Sequence, residues 1–177
     1  IISFINHPKR IFPIGRLDKD SEGLIFLTNN GDIVNKILRA GNKHEKEYIV
    51  RVDKAIDGNF LRMMAEGVRI DGVKTLPCKV RQTGRHSFQI ILVQGLNRQI
   101  RKMCDALGYT VKALQRIRIM DVRLDKLAVG KWRYLSEPEM AALLAAVADS
   151  HSESKGKTYQ KDPAVPKKNK APRQEAI

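Results

Sequence analysis

The chain has 177 residues, of which 33 are basic and 19 acidic, so its formal net charge at pH 7 is +14. This length suffices for one domain with a buried core. The positive excess favours a polyanionic partner, either a nucleic acid or an anionic membrane surface. Because no apolar run approaches the roughly 18 residues that a membrane-spanning helix needs, we expect a nucleic acid and no membrane.

The first half of the chain alternates short strands with short helices. An apolar, β-branched run predicts a buried strand over 23–29, and helical spacing then predicts a helix over 33–41 that ends at a glycine. Alternation predicts a strand over 48–52, followed by a helix over 57–66 that a second glycine ends. An Asp-Gly pair predicts the turn of a hairpin over 68–74.

The second half is richer in strands and ends in a helix. Several of the strands are close enough in sequence to form hairpins. Such a mixture predicts an α+β fold, a mostly antiparallel mixed sheet flanked by short helices. The predicted segments are strands over 78–82 and 87–94, a helix over 97–107, strands over 110–119 and 131–135, and a helix over 137–148.

The composition changes after Asp149. Residues 150–177 hold three prolines, seven basic and three acidic residues, and few large apolar side chains. Such a segment cannot bury enough surface to offset its ordering entropy. We therefore expect a folded domain over 1–149 and a disordered basic tail over 150–177. The chain begins Ile-Ile-Ser-Phe, without Met, which indicates a piece of a longer protein.

Cysteine and histidine usage argues against a metal site. Cys78 and Cys104 lie far apart without a Cys-x-x-Cys pairing. This is typical of buried thiols in a reducing cytoplasm. The four histidines are scattered, and no two are four residues apart. We expect a cytoplasmic protein with no metal ligand set.

The segment from Gly15 to Asp32 begins Gly-Arg-Leu-Asp-Lys-Asp-Ser-Glu-Gly-Leu. It places Asp18 beside Arg16 in a polar loop that runs into an apolar strand. An aspartate in such a loop is ordinarily a turn or cap residue. A carboxylate beside a cation at the mouth of a strand, in a strongly basic protein, instead suggests chemistry on a polyanion.

This pattern resembles the active-site motif of RNA pseudouridine synthases of the RsuA type, Gly-Arg-Leu-Asp-x-x-Ser/Thr-x-Gly-Leu. Two later blocks are similar to the same family. Lys46-Glu-Tyr48 resembles its Lys-x-Tyr strand motif, and 94–103 resembles its Glu/Gln-Gly-x-Asn-Arg-Gln-Ile/Val-Arg-Arg-Met block at a strand-to-helix junction. The resemblance spans about 15–137. Leu96 departs from it, since many relatives carry Arg or Lys there.

The resemblance implies a role for each of four residues. Asp18 would be the essential nucleophile or base, and Arg16 would fill the space that a flipped uridine leaves. Tyr48 would stack on the target base. Arg101 matches the arginine that pairs with the catalytic aspartate, a pairing that favours the charged carboxylate. No cofactor is implied, because the isomerisation needs one carboxylate and no redox or metal group.

Four further basic residues are predicted to bind RNA. Lys46 belongs to the strand motif. Arg98 lies three residues before Arg101 and shares its helix face, although a solvated basic face would have the same spacing. Arg116 and Arg118 are predicted to alternate onto one strand face and to follow a phosphate backbone, which would make affinity salt-dependent.

The expected protein is a monomeric catalytic domain over 1–149 that isomerises uridine in structured RNA, and we expect 23S ribosomal RNA as the substrate. Such enzymes often carry a small N-terminal S4-type RNA-binding domain, which we expect to be absent from this chain. The alternative is a catalytically silent RNA-binding module that assists ribosome assembly. Asp18→Asn separates the two, because a pure binder should tolerate it. A nuclease or deaminase would need metal-ligand motifs that the sequence lacks.

Overall fold

The computed structural model describes residues 1–38 and 44–149. The predicted tail over 150–177 and the predicted helix end at Gly41 lie outside these residues. The elements of the described part are α1 (Ile2–Ile5), β1 (Phe12–Ile14), β2 (Glu22–Gly23), β3 (Phe26–Thr28), α2 (Gly31–Leu38), β4 (Lys46–Val52), α3 (Gly58–Glu66), β5 (Arg69–Ile70), β6 (Val73–Lys74), β7 (Lys79–Gly84), β8 (Ser87–Leu92), α4 (Gln99–Ala106), β9 (Val111–Ile119), β10 (Val122–Arg123) and α5 (Glu137–Asp149).

The central sheet has the strand order β10-β9-β4-β8-β7, and β2 joins it by pairing with β9. Every pair along this order is antiparallel, whereas β2 runs parallel to β9. Two small ladders, β1–β3 and β5–β6, lie outside this sheet. The α+β prediction of a mostly antiparallel mixed sheet with short helices is therefore confirmed.

The elements with strong local signals lie close to where the sequence predicted them. Helix α3 begins after Asp57, whose side chain accepts a hydrogen bond from the Phe60 amide, and ends at Gly67. Such a cap satisfies a backbone donor that the first turn leaves free. The hairpin turn has positive φ at both Asp71 and Gly72, as a two-residue turn between twisted strands requires.

Two strand predictions are wrong. The run over 23–29 forms two strands, because β2 pairs with β9 while β3 pairs with β1. Residues 131–135 form no strand. There Trp132 and Tyr134 contact each other and the ring of His7 edge-on. The alternating aromatics of this segment therefore make side-chain contacts rather than pairing in a sheet.

The main core lies between one face of the sheet and helices α3 and α4. Phe88, Ile90 and Met64 are fully buried there, and α4 contributes Ile100 and Met103. Burying each such side chain stabilises the fold by roughly 1.5–3 kcal/mol. This packing fixes α4 on the sheet, so the side chains at its N-terminal end have a defined position relative to β4 and β9.

The parallel contact between β2 and β9 depends on Gly23. Its φ is +112°, and an added Cβ would overlap the carbonyl oxygen of Arg116. The next residue, Leu24, is bound from both sides: its amide donates to the Arg116 carbonyl over 2.8 Å, and its carbonyl accepts from Arg116 Nε over 2.8 Å. A glycine is required here because only glycine allows this backbone conformation and this close approach.

We expect Gly23→Ala to lower the free energy of unfolding by about 2 kcal/mol or more, since it adds backbone strain and a steric overlap. The matched control is Gly58→Ala, where nothing lies within 4 Å of an added Cβ; we expect it to change stability by less than about 1 kcal/mol. Urea denaturation of both variants measures the difference. Equal unfolding free energies would contradict the requirement for glycine.

Candidate active site

Asp18 lies in the loop between β1 and β2, opposite the N-terminal end of α4. Its Oδ2 is 3.6 Å from Arg98 Nη1 and 4.0 Å from Arg101 Nε. The loop closes on itself through a 2.9 Å hydrogen bond from the Ser21 amide to the Asp18 carbonyl. With 30% of its side chain exposed, the carboxylate stands between two arginines and still reaches solvent.

Arg98 and Arg101 both face Asp18, but Arg98 is the N-cap residue of α4, with φ of 48°, and not part of the helix as the sequence predicted. Their environments also differ. Arg101 keeps only 11% of its side chain exposed. Its Nη2 donates to the Asp20 carbonyl over 2.7 Å and to Ser21 Oγ over 3.2 Å. Arg98 is 41% exposed and lies 3.9 Å from the Asp20 carboxylate. Arg101 thus holds the backbone of the loop, whereas Arg98 adds charge at its surface.

A cleft of about 310 Å³ opens beside Asp18. The half-buried Tyr48 lies in its wall on β4, directly across the ladder from Arg116 on β9. Both side chains point to the same face because cross-strand partners do so. Six of the eight predicted site residues line this cleft: Arg16, Asp18, Lys46, Tyr48, Arg98 and Arg116.

Arg118 lies on the other face of the sheet, so the prediction that it shares a face with Arg116 is wrong. In the β4–β9 ladder Glu47 pairs with Arg118 and Tyr48 with Arg116, which leaves Ile117 as a bulge. A bulge inserts one residue and reverses the alternation of faces. Arg118 Nε and Nη2 donate to Glu47 over 2.5 Å and to Glu45 over 3.0 Å. Its role in RNA binding stays a prediction.

Arg116 is buried, whereas an arginine that follows a phosphate backbone must be exposed. Only 6% of the residue is exposed, and its Nε is bound to the Leu24 carbonyl as described above. The same side chain therefore secures β2 and faces the cleft. The prediction of an exposed basic strand face formed by Arg116 and Arg118 is replaced by one buried arginine in the cleft.

His44 also lines the cleft, although it belongs to none of the three motifs. Lys46 Nζ donates to the His44 carbonyl over 3.2 Å. Burial, followed by the nearby Lys46 charge, lowers the pKa of His44. Burial and then the charge of Arg116 lower the pKa of Lys46. The histidine lies two residues before the Lys-x-Tyr motif, which was the only signal that could have drawn attention to it.

The described residues contain no group of three or more His, Cys, Asp or Glu side chains that could hold a metal ion. Over 1–38 and 44–149, no helix combines the length and apolar character needed to cross a membrane. The cleft is lined by two carboxylates, Asp18 and Glu22, by the phenol ring of Tyr48, and by several cationic and amide side chains.

Comparison with known proteins identifies the class of protein. Residues 2–106 match the family model described as RNA pseudouridylate synthase. The chain belongs to this family. The match confirms the resemblance that the three motifs indicated, and it covers the Asp18 loop, Tyr48 and the arginines of α4.

The chain is 57% identical over 161 residues to the dual-specificity RNA pseudouridine synthase RluF of Escherichia coli strain K12, which covers 91% of this chain and 56% of that protein. It is 35% identical over 152 residues to ribosomal large subunit pseudouridine synthase B of Bacillus subtilis strain 168, covering 82% and 62%. A crystal structure of a pseudouridylate synthase matches with a TM-score of 0.72 and 32% identity, over 75% of this chain and 59% of that one. The chain thus spans about three fifths of the length of these relatives.

We expect Arg101→Gln to lower the free energy of unfolding by about 1–3 kcal/mol, because it removes the charged hydrogen bonds that a largely buried arginine donates to the Asp20 carbonyl and the Ser21 hydroxyl. Arg98→Gln removes a more exposed ion pair, the one with the Asp18 carboxylate. It should lower the free energy of unfolding by less than about 1 kcal/mol. Urea denaturation compares them directly. An equal loss in both variants would show that Arg101 does not hold the loop.

Proposed function

We propose that the chain carries the catalytic part of an enzyme that isomerises uridine to pseudouridine in structured RNA, with large-subunit 23S ribosomal RNA as the substrate. The observation that carries the proposal is the position of Asp18, within 4.0 Å of two arginines and beside a cleft with Tyr48 in its wall. The names of the relatives support RNA as the substrate, and one of them is named for the large ribosomal subunit. We also propose that the enzyme is monomeric and cytoplasmic; its two free cysteines agree with a reducing compartment.

The proposed reaction needs no group beyond those in the cleft. The bond between N1 of uracil and C1′ of the ribose breaks, and a bond between C5 and C1′ forms. The hydrogen of C5 leaves as a proton, and N1 gains one. Asp18 would drive this exchange by attack on the sugar, attack on the base or removal of a sugar proton, all of which a single carboxylate can do.

Entry of the uridine requires the base to leave its stack, at a cost of a few kcal/mol. In the proposed complex the base lies against Tyr48 and so recovers part of this cost by stacking. Arg16, which also lines the cleft, would occupy the space that the base leaves. Arg98 and Arg101, both within 4.0 Å of the Asp18 carboxylate, would orient it during the reaction.

The alternative function is an RNA-binding module without activity that assists ribosome assembly. A binder uses cations to neutralise phosphates, and a carboxylate facing the RNA would oppose that. The arrangement around Asp18 favours the enzyme for this reason, since two arginines are directed at a carboxylate that reaches solvent.

The test is release of tritium from RNA labelled at C5 of uridine, because the new bond at C5 must expel the label. We expect the parent chain to release tritium from 23S ribosomal RNA and Asp18→Asn to be slower by at least about 100-fold. Asp20→Asn is the matched control. It also removes one carboxylate charge, two residues after Asp18, and the Asp20 carboxylate likewise faces Arg98. We expect it to change the rate by less than about tenfold.

Equal rates for the parent chain and Asp18→Asn would remove Asp18 from the reaction. No release from either, with RNA binding intact, would favour the silent binding module. Because the chain spans only part of its relatives, the same assay is run on this chain fused to an N-terminal RNA-binding domain. Release by the fusion alone would show that such a domain delivers the uridine to the cleft.

A further inference from the structure

Three nitrogen-bearing side chains meet in the cleft next to Tyr48. Arg116 lies directly across the ladder from Tyr48, and Lys46 lies two residues before it on the same face of β4. His44 is joined to Lys46 through its carbonyl. Arg116, Lys46 and His44 all line the cleft. They form a cluster, called here the Lys46 cluster, that is separate from the Asp18–Arg98–Arg101 group.

The Lys46 cluster has unused hydrogen-bonding groups in buried positions. Within 1–38 and 44–149, Arg116 Nη2 and His44 Nε2 are buried without a hydrogen-bond partner, and the same holds for Arg101 Nε beside Asp18. Only 6% of Arg116 is exposed. Its Nε donates to the Leu24 carbonyl, so the guanidinium group that carries the unpaired Nη2 has a fixed position. Buried polar atoms without partners lower stability and in native proteins usually indicate a missing partner.

The cluster also lacks a counter-charge. Three other arginines of this region have carboxylate partners: Arg98 and Arg101 lie next to Asp18, and Arg118 lies between Glu45 and Glu47. Among the residues that the structure describes, no carboxylate lies within 4.0 Å of Lys46, Arg116 or His44. Holding like charges together out of solvent is unfavourable, and a bound anion would remove that cost.

We infer that the Lys46 cluster is a subsite for one phosphodiester group of the RNA, the one next to the uridine that enters the cleft. The inference rests on the proposed function in that it takes RNA as the ligand. A nucleotide whose base lies against Tyr48 has its own phosphates one sugar away, and Arg116 is the direct neighbour of Tyr48 in the sheet. Planar guanidinium groups suit phosphate oxygens through paired hydrogen bonds.

This subsite differs from a basic surface that neutralises many phosphates. Exposed cations act additively and without regard to position. A partly buried cluster built around the fixed Arg116 acts on one phosphate only, because only the group that enters the cleft can reach it. The subsite would therefore set which nucleotide enters and how far its base advances toward Asp18.

The test uses synthetic RNA stem-loops from 23S ribosomal RNA in which single linkages of the loop are replaced, one at a time, by uncharged methylphosphonates. Binding is measured by fluorescence anisotropy at one fixed salt concentration, with the Asp18→Asn chain so that no turnover occurs. We expect one linkage to weaken binding by about tenfold or more, as loss of a buried charged contact should. The other linkages should weaken it by no more than about threefold.

Adding Lys46→Met or His44→Asn should reduce the penalty at that one linkage to about twofold or less, because the partner of the phosphate is then missing. Lys79→Met is the charge-matched control: its side chain is 80% exposed and does not line the cleft, so the penalty should persist. Arg116 is left unchanged because it also holds the Leu24 carbonyl.

Small, equal penalties at every linkage would overturn the subsite, as would a full penalty that survives Lys46→Met. Failure to bind any stem-loop, both by this chain and by its fusion to an N-terminal RNA-binding domain, would overturn the subsite and the proposed function together. Tritium release by the unmutated chain or by the fusion separates the two: release without a localised penalty overturns the subsite alone. A localised penalty without release from either protein supports the subsite and contradicts the isomerase activity.

Discussion

The contact on which the site depends is the close approach of Gly23 to Arg116. Because Gly23 has no side chain, β2 can lie directly against β9. Leu24 is then bound to Arg116 through both its amide and its carbonyl. Asp18 lies five residues earlier, in a loop whose other side is held by Arg101. The position of the carboxylate is therefore fixed from two directions, by the sheet and by α4.

The bulge in β9 separates two groups of charges. Arg116 faces the cleft, where it has no carboxylate partner, and Arg118 faces Glu45 and Glu47 on the outer side. A regular strand would have placed both arginines on the cleft face, away from Glu47, which points to the other face of β4. The inserted residue thus leaves Arg116 in the cleft and pairs Arg118 with carboxylates on the outer face.

Local sequence signals predicted the elements that depend on local chemistry, such as α3 with its Asp57 cap and the Asp71-Gly72 hairpin. The motifs also predicted most residues of the cleft. Period-two alternation could not reveal the bulge, since nothing in 111–119 distinguishes it. The strand predicted over 131–135 was wrong because its aromatics contact His7, more than 120 residues away in sequence. His44 carries no motif of its own, and its importance follows only from burial beside Lys46.

The central claim is that a uridine leaves its RNA helix and enters the cleft between Asp18 and Tyr48. A crystal structure of the Asp18→Asn chain bound to a 23S ribosomal RNA stem-loop tests this most directly. The account predicts one uridine out of the stack, its base against the Tyr48 ring and its C1′ within about 4 Å of the residue 18 side chain, the reach of a contact. A bound stem-loop with all bases stacked, or with its flipped base on another surface, would contradict it.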